Sequence, residues 1–250
     1  MVQTKWSWPV TSSKLQASTI ALGSHVVDAD KESLLWTFPT WGSEAPFLHI
    51  LVTSPSYIVS LDLRNNNFIG FLPQKINLLH CLRILMLSSN QLEGSIPPAL
   101  HSCLKLRRIG LNTSQLMGSI PSTIGNMSSL EVLNLEFNNL TGPFPFVIFN
   151  ITSLAVIALI QNHISRTLPM NLCSHCPNLQ GLYLYDKEFN GRLSSLMNYC
   201  KQLSLLSLSY NKFGGSIPEG FGSLEKLEDL YLGGNSLTVK TKKLNREVSN

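Results

Sequence analysis

The sequence lacks long apolar runs. Its longest apolar stretches, at 47–52 and 155–160, are much shorter than the roughly 18 residues that a membrane-spanning helix needs. Charged residues are also sparse at 14%, whereas hydrophobic residues make up 44% of the chain. That balance is typical of a folded globular protein and excludes intrinsic disorder. We therefore predict a sizeable core and no membrane span.

The body of the chain has little net charge. The formal net charge is +4, and most of it comes from a short C-terminal stretch that holds Lys240, Lys242, Lys243 and Arg246 beside Glu247. A nucleic-acid-binding protein instead carries a basic stripe with interleaved aromatic residues on a folded surface. The sequence therefore predicts no nucleic-acid partner.

Cysteines are few and odd in number. Five cysteines cannot build a disulfide scaffold, and at least one stays unpaired within the chain: Cys81, Cys103, Cys173, Cys176 and Cys200. Three of them, Cys103, Cys176 and Cys200, precede the first apolar residue of a repeat by six positions, a slot that faces the core. We predict buried structural thiols there, with a local disulfide as the alternative.

Signals for export and catalysis are missing as well. Residues 1–22 never collect the apolar core of 7–15 residues that a secretory signal peptide requires. The six histidines share no recurring spacing with serine or cysteine, and a glycine-rich phosphate loop, a His-Arg-Asp loop and an Asp-Phe-Gly motif are absent. Cys173 and Cys176 have the spacing of a metal pair but lack further ligands. We predict a non-enzymatic protein without cofactor or metal.

What the sequence does have is a tandem repeat. The pattern Leu-x-Leu-x-x-Asn-x-Leu-x-Gly-x-Ile-Pro returns every 24 residues, once after 25. Its alternating leucines predict one strand per repeat, and such strands stack into a parallel sheet. One repeat alone buries too little to fold, so we expect an array. The first apolar residues of the repeats are Leu61, Leu85, Ile109, Leu133, Ile157, Leu182, Leu206 and Leu230.

Each residue type of the pattern has a physical role. An inward asparagine can satisfy backbone groups where the strand turns away, and the glycine tolerates a positive φ. The proline, as in Pro97 and Pro121, suits the first position of a short helical turn. We expect local irregularity where the pattern fails: Ser114 and Lys187 replace asparagine, Arg166 replaces glycine and Ser194 replaces proline.

These motifs carry a family resemblance. Gly-x-Ile-Pro, with Asn-Asn-Leu-Thr-Gly at 138–142 and Asn-Ser-Leu-Thr at 235–238, resembles the plant-specific class of leucine-rich repeats found in ectodomains of plant receptor-like kinases. Segments 145–154 and 176–184 are similar to the receptor kinases that perceive microbial patterns. The resemblance implies an α/β solenoid, a right-handed superhelix of about eight 24-residue repeats with a parallel concave sheet and short 3₁₀ turns opposite. It also implies an extracellular or plasma-membrane-associated location.

Three regions follow from this organisation. We expect a degenerate N-terminal cap at 1–56, the solenoid at 57–237 and a basic tail at 238–250. Residues 28–38 are similar to the start of the family's cap, but residues 41–57 contain no cysteine where the family places a disulfide pair. Because the eighth repeat also ends without Gly-x-Ile-Pro, both ends of the array should unfold first.

The strand positions between inward leucines define a candidate binding face. They point to the concave surface, and aromatic residues cluster there in the later repeats, as they do at recognition surfaces. Tyrosines also simply suit strands, which is the alternative explanation. Arg64 and the Arg107 and Arg108 pair lie several repeats away and are peripheral. The candidate ligand-binding residues are Tyr183, Tyr185, Asp186, Tyr210, Asp229, Tyr231, Glu136 and Phe137.

The predicted function is non-catalytic recognition of a protein or peptide ligand, as a receptor-like ectodomain fragment in signalling or defence, with a co-receptor as a further partner. Two alternatives stay open: a secreted inhibitor of cell-wall-degrading enzymes, and a truncated product without independent function. Four Asn-x-Ser/Thr triplets permit glycosylation on export, at Asn112, Asn126, Asn139 and Asn150.

Overall fold

The computed structural model describes residues 20–22, 25–27, 58–168, 172–185, 188–193 and 199–238. The chain divides into two units, residues 1–37 and 38–250. In the first unit, strands β1 (Ile20–Leu22) and β2 (His25–Val27) pair antiparallel, with Leu22 opposite His25. The expected cap segments at 28–38 and 41–57 and the basic tail from 239 onwards lie outside the described residues.

The second unit contains a parallel sheet of eight strands, here called the first sheet. Each strand is centred on a predicted first apolar residue, and these residues are register partners across the whole sheet, from Leu61 beside Leu85 to Leu206 beside Leu230. The predicted register is therefore confirmed. The strands are β3 (Ser60–Asp62), β5 (Ile84–Met86), β7 (Arg108–Gly110), β9 (Val132–Asn134), β11 (Val156–Ala158), β13 (Gly181–Tyr183), β15 (Leu205–Ser207) and β17 (Asp229–Tyr231). The chain from one such strand to the next is called a coil, numbered 1 to 8.

A second parallel sheet of eight strands follows the first along each coil, and the sequence did not predict it. Stacked coils of equal length bring their backbone N–H and C=O groups into line at strand spacing, so these segments pair. Their side chains alternate in burial, as at 139–141, where buried Leu140 lies between exposed Asn139 and Thr141. Glycine occupies the predicted positive-φ position there, from Gly94 at 72° to Gly191 at 92°. The strands are β4 (Ile69–Phe71), β6 (Gln91–Gly94), β8 (Gln115–Gly118), β10 (Asn139–Pro143), β12 (His163–Thr167), β14 (Glu188–Arg192), β16 (Lys212–Ser216) and β18 (Ser236–Thr238).

Short helical turns close the coils. In the described part of the chain, 3₁₀ segments lie at Gln74–Leu78, Pro98–Ser102, Ser122–Asn126, Phe146–Asn150 and Glu219–Ser223. The 25-residue repeat instead has a four-residue α-helix, α1 (Leu172–His175). The repeat's proline is the N-cap and not the first helical residue as predicted: Pro97 keeps an extended ψ of 129°, and its carbonyl accepts from the Leu100 N–H at 3.0 Å. No helix among the described residues has the length and apolarity to cross a membrane.

The core is a continuous column of inward side chains. Leu85, Leu133 and Leu206 are completely buried, each at the first apolar position of its coil. The equivalent Leu230 in coil 8 is 41% exposed. Burial of apolar area is the main stabilising contribution in such an array. Coil 8 buries less apolar area and is therefore stabilised less than the inner coils.

The predicted asparagine role is confirmed by a ladder of hydrogen bonds between coils. The Asn138 side-chain amide donates to the carbonyl of Leu135 in its own coil at 3.1 Å and to that of Leu111 in the preceding coil at 2.9 Å. Its oxygen accepts from the Leu116 N–H, also in the preceding coil, at 3.0 Å. The same three bonds are made by Asn90, Asn162, Asn211 and Asn235.

The ladder is interrupted in coil 3, where Ser114 replaces asparagine. The Ser114 hydroxyl oxygen is buried and has no hydrogen-bond partner among the described residues. A hydroxyl is shorter than a carboxamide and carries one donor instead of two, so it cannot make the asparagine's bonds. The irregularity expected at this position is confirmed. Lys187 and Ser194 lie outside the described residues.

The cysteines depart partly from prediction. Cys103 and Cys176 are buried free thiols, as predicted, and Cys81 is a partly exposed free thiol. Cys200 was predicted to be a thiol as well, but it forms a disulfide with Cys173. The helix α1 brings Cys173 to a Cα–Cα distance of 4.9 Å from Cys200, which is a normal bridging distance.

Candidate functional site

The solvent-facing side of the first sheet in coils 4 to 8 carries the predicted binding residues. Tyr210 is 60% exposed, Tyr231 51% and Phe137 44%. Asp229 is exposed and Tyr185 half-buried. We call these five side chains the aromatic patch. Asp186, predicted with them, lies outside the described residues.

Two predicted contact residues are buried, and the expectation that they are exposed is wrong. Tyr183 and Glu136 are each only 7% exposed. Tyr183 lies over Gly181 on its own strand, where an added Cβ would come within 2.8 Å of the ring. The Glu136 carboxylate is held near Asn134, whose side-chain amide donates to Oε2 at 3.4 Å. These two residues form the floor of the face.

Tyr185 of coil 6 and Tyr210 of the neighbouring coil 7 form an aromatic pair. Their ring centroids are 5.2 Å apart with an interplanar angle of 63°, the edge-to-face arrangement that aromatic rings prefer. On its other side the Tyr210 ring lies over Gly234 of coil 8, where an added Cβ would be 2.8 Å from the ring. The Tyr210 ring therefore lies between Tyr185 of coil 6 and Gly234 of coil 8.

Tyr210 and Phe137 share a left-handed backbone conformation. Both have a φ of 54°, at the residue just before the ladder asparagine. The equivalent residues of other coils, such as Ser89, Gln161 and Gly234, also have a positive φ. The conformation costs about 1–2 kcal/mol for a bulky side chain. It belongs to the turn of the repeat and is not particular to the aromatic residues.

Negative charge surrounds the phenol groups. The Tyr231 hydroxyl donates to Asp229 Oδ1 at 3.3 Å. The charge of Asp229, then this hydrogen bond, raises the pKa of Tyr231. Burial is the largest cause of the raised pKa of Tyr183, followed by the charges of Glu136 and Asp229. Both shifts favour the protonated phenol, so the exposed Tyr231 hydroxyl remains a hydrogen-bond donor at neutral pH.

Basic residues of this face lie in the first three coils. Arg64 forms a two-pronged ion pair with Asp62, at 2.9 and 2.7 Å. Arg107 pairs with Glu131 of the next coil, and Arg108 is exposed. That these arginines are peripheral to a bound ligand stays a prediction, and Arg64 and Arg107 are each paired with a carboxylate.

The four candidate glycosylation sites are on different surfaces. Asn126 and Asn150 end equivalent 3₁₀ segments, and Asn139 is on the second sheet; all three are exposed. Asn112 is on the face of the first sheet, is partly buried, and accepts a hydrogen bond from Ser88. Whether any of them carries a glycan stays a prediction.

The side chains of the described residues are suited to non-covalent binding. No group of three or more His, Cys, Asp or Glu side chains in the described segments could hold a metal ion. Burial raises the pKa of the Cys103 thiol to about 11 and that of Cys176 to about 12. Thiols in that state are poor nucleophiles at neutral pH. The aromatic patch presents apolar rings, phenol donors and a carboxylate, which are suited to binding.

Sequence reasoning missed the glycines that support the tyrosines. Gly181 and Gly234 occupy face positions where most other coils carry side chains, such as Arg108 and Phe137. Glycine next to an aromatic residue on a sheet face was the available signal, because a missing Cβ leaves room for a neighbouring ring.

Comparisons with known proteins agree with this architecture. The sequence profile of a family described as Leucine Rich Repeat matches residues 57–79, 81–103, 129–151 and 202–224. No curated protein gave a significant match.

Several solved structures are similar. The leucine-rich-repeat ectodomain of the Arabidopsis thaliana receptor kinase GASSHO1/SCHENGEN3, in complex with CASPARIAN STRIP INTEGRITY FACTOR 2, is 36% identical with a TM-score of 0.69, over 72% of this chain and 22% of that one. The Arabidopsis receptor kinase HAESA, in complex with the peptide hormone IDA and the co-receptor SERK1, is 30% identical with a TM-score of 0.66, over 77% and 35%. A leucine-rich-repeat protein of Leptospira interrogans is 32% identical with a TM-score of 0.64, over 78% and 47%.

The chain spans less than half the length of each of these structures. The repeat motifs, the family profile and the matching solenoids nevertheless point the same way. The chain is a leucine-rich-repeat protein of the plant type, with a solenoid that resembles the ectodomains of plant receptor kinases.

Proposed function

We propose that this protein recognises a peptide or protein ligand through the aromatic patch, as a non-catalytic, receptor-like module. In this proposal residues 57–237 are the binding unit. The observation that carries it is the edge-to-face pair of the half-buried Tyr185 and the exposed Tyr210 on the face of the first sheet. Tyrosine offers a large rigid contact area at low entropic cost, so such a pair suits recognition.

The similar structures support the class of ligand. The GASSHO1/SCHENGEN3 and HAESA ectodomains were solved with CASPARIAN STRIP INTEGRITY FACTOR 2 and with the peptide hormone IDA, respectively. The HAESA complex also contains the co-receptor SERK1. By analogy, a peptide is the primary ligand proposed here and a co-receptor a second partner, in signalling or defence.

An extracellular setting is part of the proposal. The Cys173 and Cys200 disulfide supports it, because structural disulfides form and persist in oxidising compartments. Exposed sequons at Asn126, Asn139 and Asn150 would be accessible there.

A peptide-display selection tests the proposal. A random library of 12-residue peptides is selected on the folded protein at physiological salt. Selected peptides are expected to lose about tenfold in affinity to a Tyr185→Ala and Tyr210→Ala double variant. The control is Met117→Ser, since Met117 is 49% exposed but lies on the second sheet.

The outcome can contradict the proposal in two ways. Peptides that bind the double variant as tightly as the parent would move recognition away from the aromatic patch. Peptides that are sensitive to Met117→Ser alone would place it on the second sheet.

A further inference from the structure

The Asn-x-Ser/Thr triplets of the chain fall into two structural classes. N-linked glycosylation needs this triplet at the protein surface, because the glycan is bulky and is attached to the asparagine Nδ2. In three triplets the asparagine is exposed, and so is the hydroxyl residue two positions later. These triplets are Asn126 with Ser128, Asn139 with Thr141 and Asn150 with Thr152.

The fourth triplet is closed by the fold. Asn112 is half-buried, its side-chain oxygen accepts from the Ser88 hydroxyl, and its Nδ2 donates to Thr113 Oγ1 at 3.4 Å. The hydroxyl oxygen of Ser114, two positions after the asparagine, is buried. Attachment of a glycan to Asn112 therefore requires coil 3 to open, whereas the other three triplets are accessible in the folded chain.

The accessible triplets lie away from the strands of the first sheet. Asn126 and Asn150 are the last residues of equivalent 3₁₀ segments in coils 3 and 4. Asn139 is the first residue of β10 on the second sheet of coil 4. Glycans at these three positions would cover the turns and the second sheet and leave the face of the first sheet bare.

Asn139 lies beside an exposed apolar side chain. Its register partner on the neighbouring strand β8 is Met117, which is 49% exposed. Register partners of a parallel sheet share one face, with strands about 4.8 Å apart. The first sugar of an N-linked glycan is N-acetylglucosamine, which has a methyl group and a ring face of C–H bonds. At this distance the sugar can remove part of the methionine side chain from water.

We propose that the folded protein carries N-linked glycans at Asn126, Asn139 and Asn150 and none at Asn112, and that the first sugar on Asn139 covers Met117. This rests on the extracellular setting of the proposed function and adds which sites are modified. The glycans occupy the second sheet and the 3₁₀ turns of coils 3 and 4. The first-sheet face is then the side that stays open to a ligand in these coils.

Occupancy measured site by site tests the assignment. The full chain is secreted from eukaryotic cells behind an added, cleavable secretion signal. Its glycans are removed by an amidase in H₂¹⁸O, which converts each glycosylated asparagine to a labelled aspartate that mass spectrometry detects. We expect label at Asn126, Asn139 and Asn150 and none at Asn112. Label at Asn112, or its absence from any of the other three, would overturn the assignment.

Two matched variants each remove the hydroxyl of one triplet and keep its asparagine. Thr141→Ala, at an exposed position, should remove one glycan, seen as a single step in the mass of the secreted protein. Ser114→Ala should leave the number of glycans unchanged. A glycan lost in Ser114→Ala, or none lost in Thr141→Ala, would contradict the proposal.

Thermal unfolding tests the contact with Met117. In secreted protein, Thr141→Ala should lower the midpoint by about 1–2 °C more in the parent than in a Met117→Ser background, because only the parent has an apolar side chain to cover. In unglycosylated protein the effect of Thr141→Ala should be the same in both backgrounds. Equal effects in secreted protein would show that the sugar does not cover Met117.

These results are distinguishable from failure of the proposed function. The added signal directs export, so the pattern of occupancy is measured wherever the protein works in its own cell. A wrong pattern together with selected peptides that depend on Tyr185 and Tyr210 would refute the glycan assignment alone. The expected pattern together with peptides that ignore both tyrosines would refute the proposed ligand site alone.

Discussion

Tyr185 and Tyr210 come from different coils, yet their rings meet edge to face with centroids 5.2 Å apart. The Tyr210 ring also lies close to Gly234, where an added Cβ would be 2.8 Å from it. Such an aromatic pair contributes about 0.5–1.5 kcal/mol beyond the area that it buries. The left-handed backbone of Tyr210 recurs at the same position in other coils, so it is set by the repeat and not by this contact.

Replacing Tyr210 with glycine should separate stability from binding. Glycine accepts a φ of 54° without strain, so Tyr210→Gly should change the free energy of unfolding by less than about 1 kcal/mol. The affinity for display-selected peptides should fall by about 1–2 kcal/mol because an anchor is lost. Urea unfolding and titration calorimetry measure the two quantities. A large loss of stability with intact binding would show that the residue is structural.

Completing the asparagine ladder should stabilise the protein. Ser114→Asn in coil 3 supplies the carboxamide that neighbouring coils already use and removes an unpartnered buried hydroxyl. We expect a gain of about 1 kcal/mol in the free energy of unfolding. Ser119→Asn, at an exposed position directly after β8, is a control that should be close to neutral. A destabilised Ser114→Asn variant would mean that coil 3 has relaxed around the serine.

Removing a ladder asparagine should be costly. Asn138→Ala leaves the Leu116 N–H and the Leu111 carbonyl without the partner they have in the parent, at a cost of about 2–4 kcal/mol. The adjacent Asn139 is exposed, so Asn139→Ala should cost less than about 0.5 kcal/mol. Unfolding curves of unglycosylated protein provide the comparison, and similar losses in the two variants would contradict the ladder's role.

The disulfide gives a count of thiols that can be measured. The unfolded, unreduced protein should release three thiols to a colorimetric thiol reagent, from Cys81, Cys103 and Cys176, and all five after reduction. Cys173→Ser with Cys200→Ser opens a loop of 27 residues and should cost about 3 kcal/mol. Cys81→Ser is the control with little expected effect. Five thiols without reduction would rule out the bridge.

The buried thiols predict a pH dependence of stability. The pKa of Cys103 rises to about 11 and that of Cys176 to about 12 on burial, from a reference value of 9.0. Above pH 9 the unfolded chain loses thiol protons that the folded chain retains, so these two groups make stability fall as the pH rises from 9 towards 12. The decline between pH 8.5 and pH 10.5 should be smaller in a Cys103→Ala, Cys176→Ala variant. An identical decline in the two proteins would contradict it.

The parts of the fold that follow from local repetition could be read from the sequence. Leu61 and Leu85 are register partners because equal spacing along identical coils leaves them no other pairing. Asn138 makes the hydrogen bonds to backbone groups that the repeat pattern predicts, with the Leu116 N–H and the Leu111 carbonyl. The second sheet was missed although its side chains alternate in burial, because most of these short strands carry a glycine such as Gly142, which weakens the strand signal.

The candidate site was less predictable because it depends on contacts between unlike residues. Tyr183 and Tyr210 both occupy face positions in the sequence pattern, yet the first is buried over Gly181 and the second is exposed. Cys200 pairs with Cys173 because the longer coil 5 forms α1, a departure from the repeat that the consensus could not show. These departures from the consensus are the features that the repeat pattern alone could not predict.

The asparagine ladder has a direction, and that direction matters during synthesis. Asn138 satisfies backbone groups of coil 3, and Asn162 those of coil 4, so each coil receives these bonds from the one translated after it. At roughly 5–20 residues per second, a 24-residue coil waits on the order of 1–5 s for its successor. The growing edge on the ribosome thus always presents an incomplete coil with open backbone groups. Each coil therefore completes its backbone hydrogen bonds only after the next coil has been synthesised.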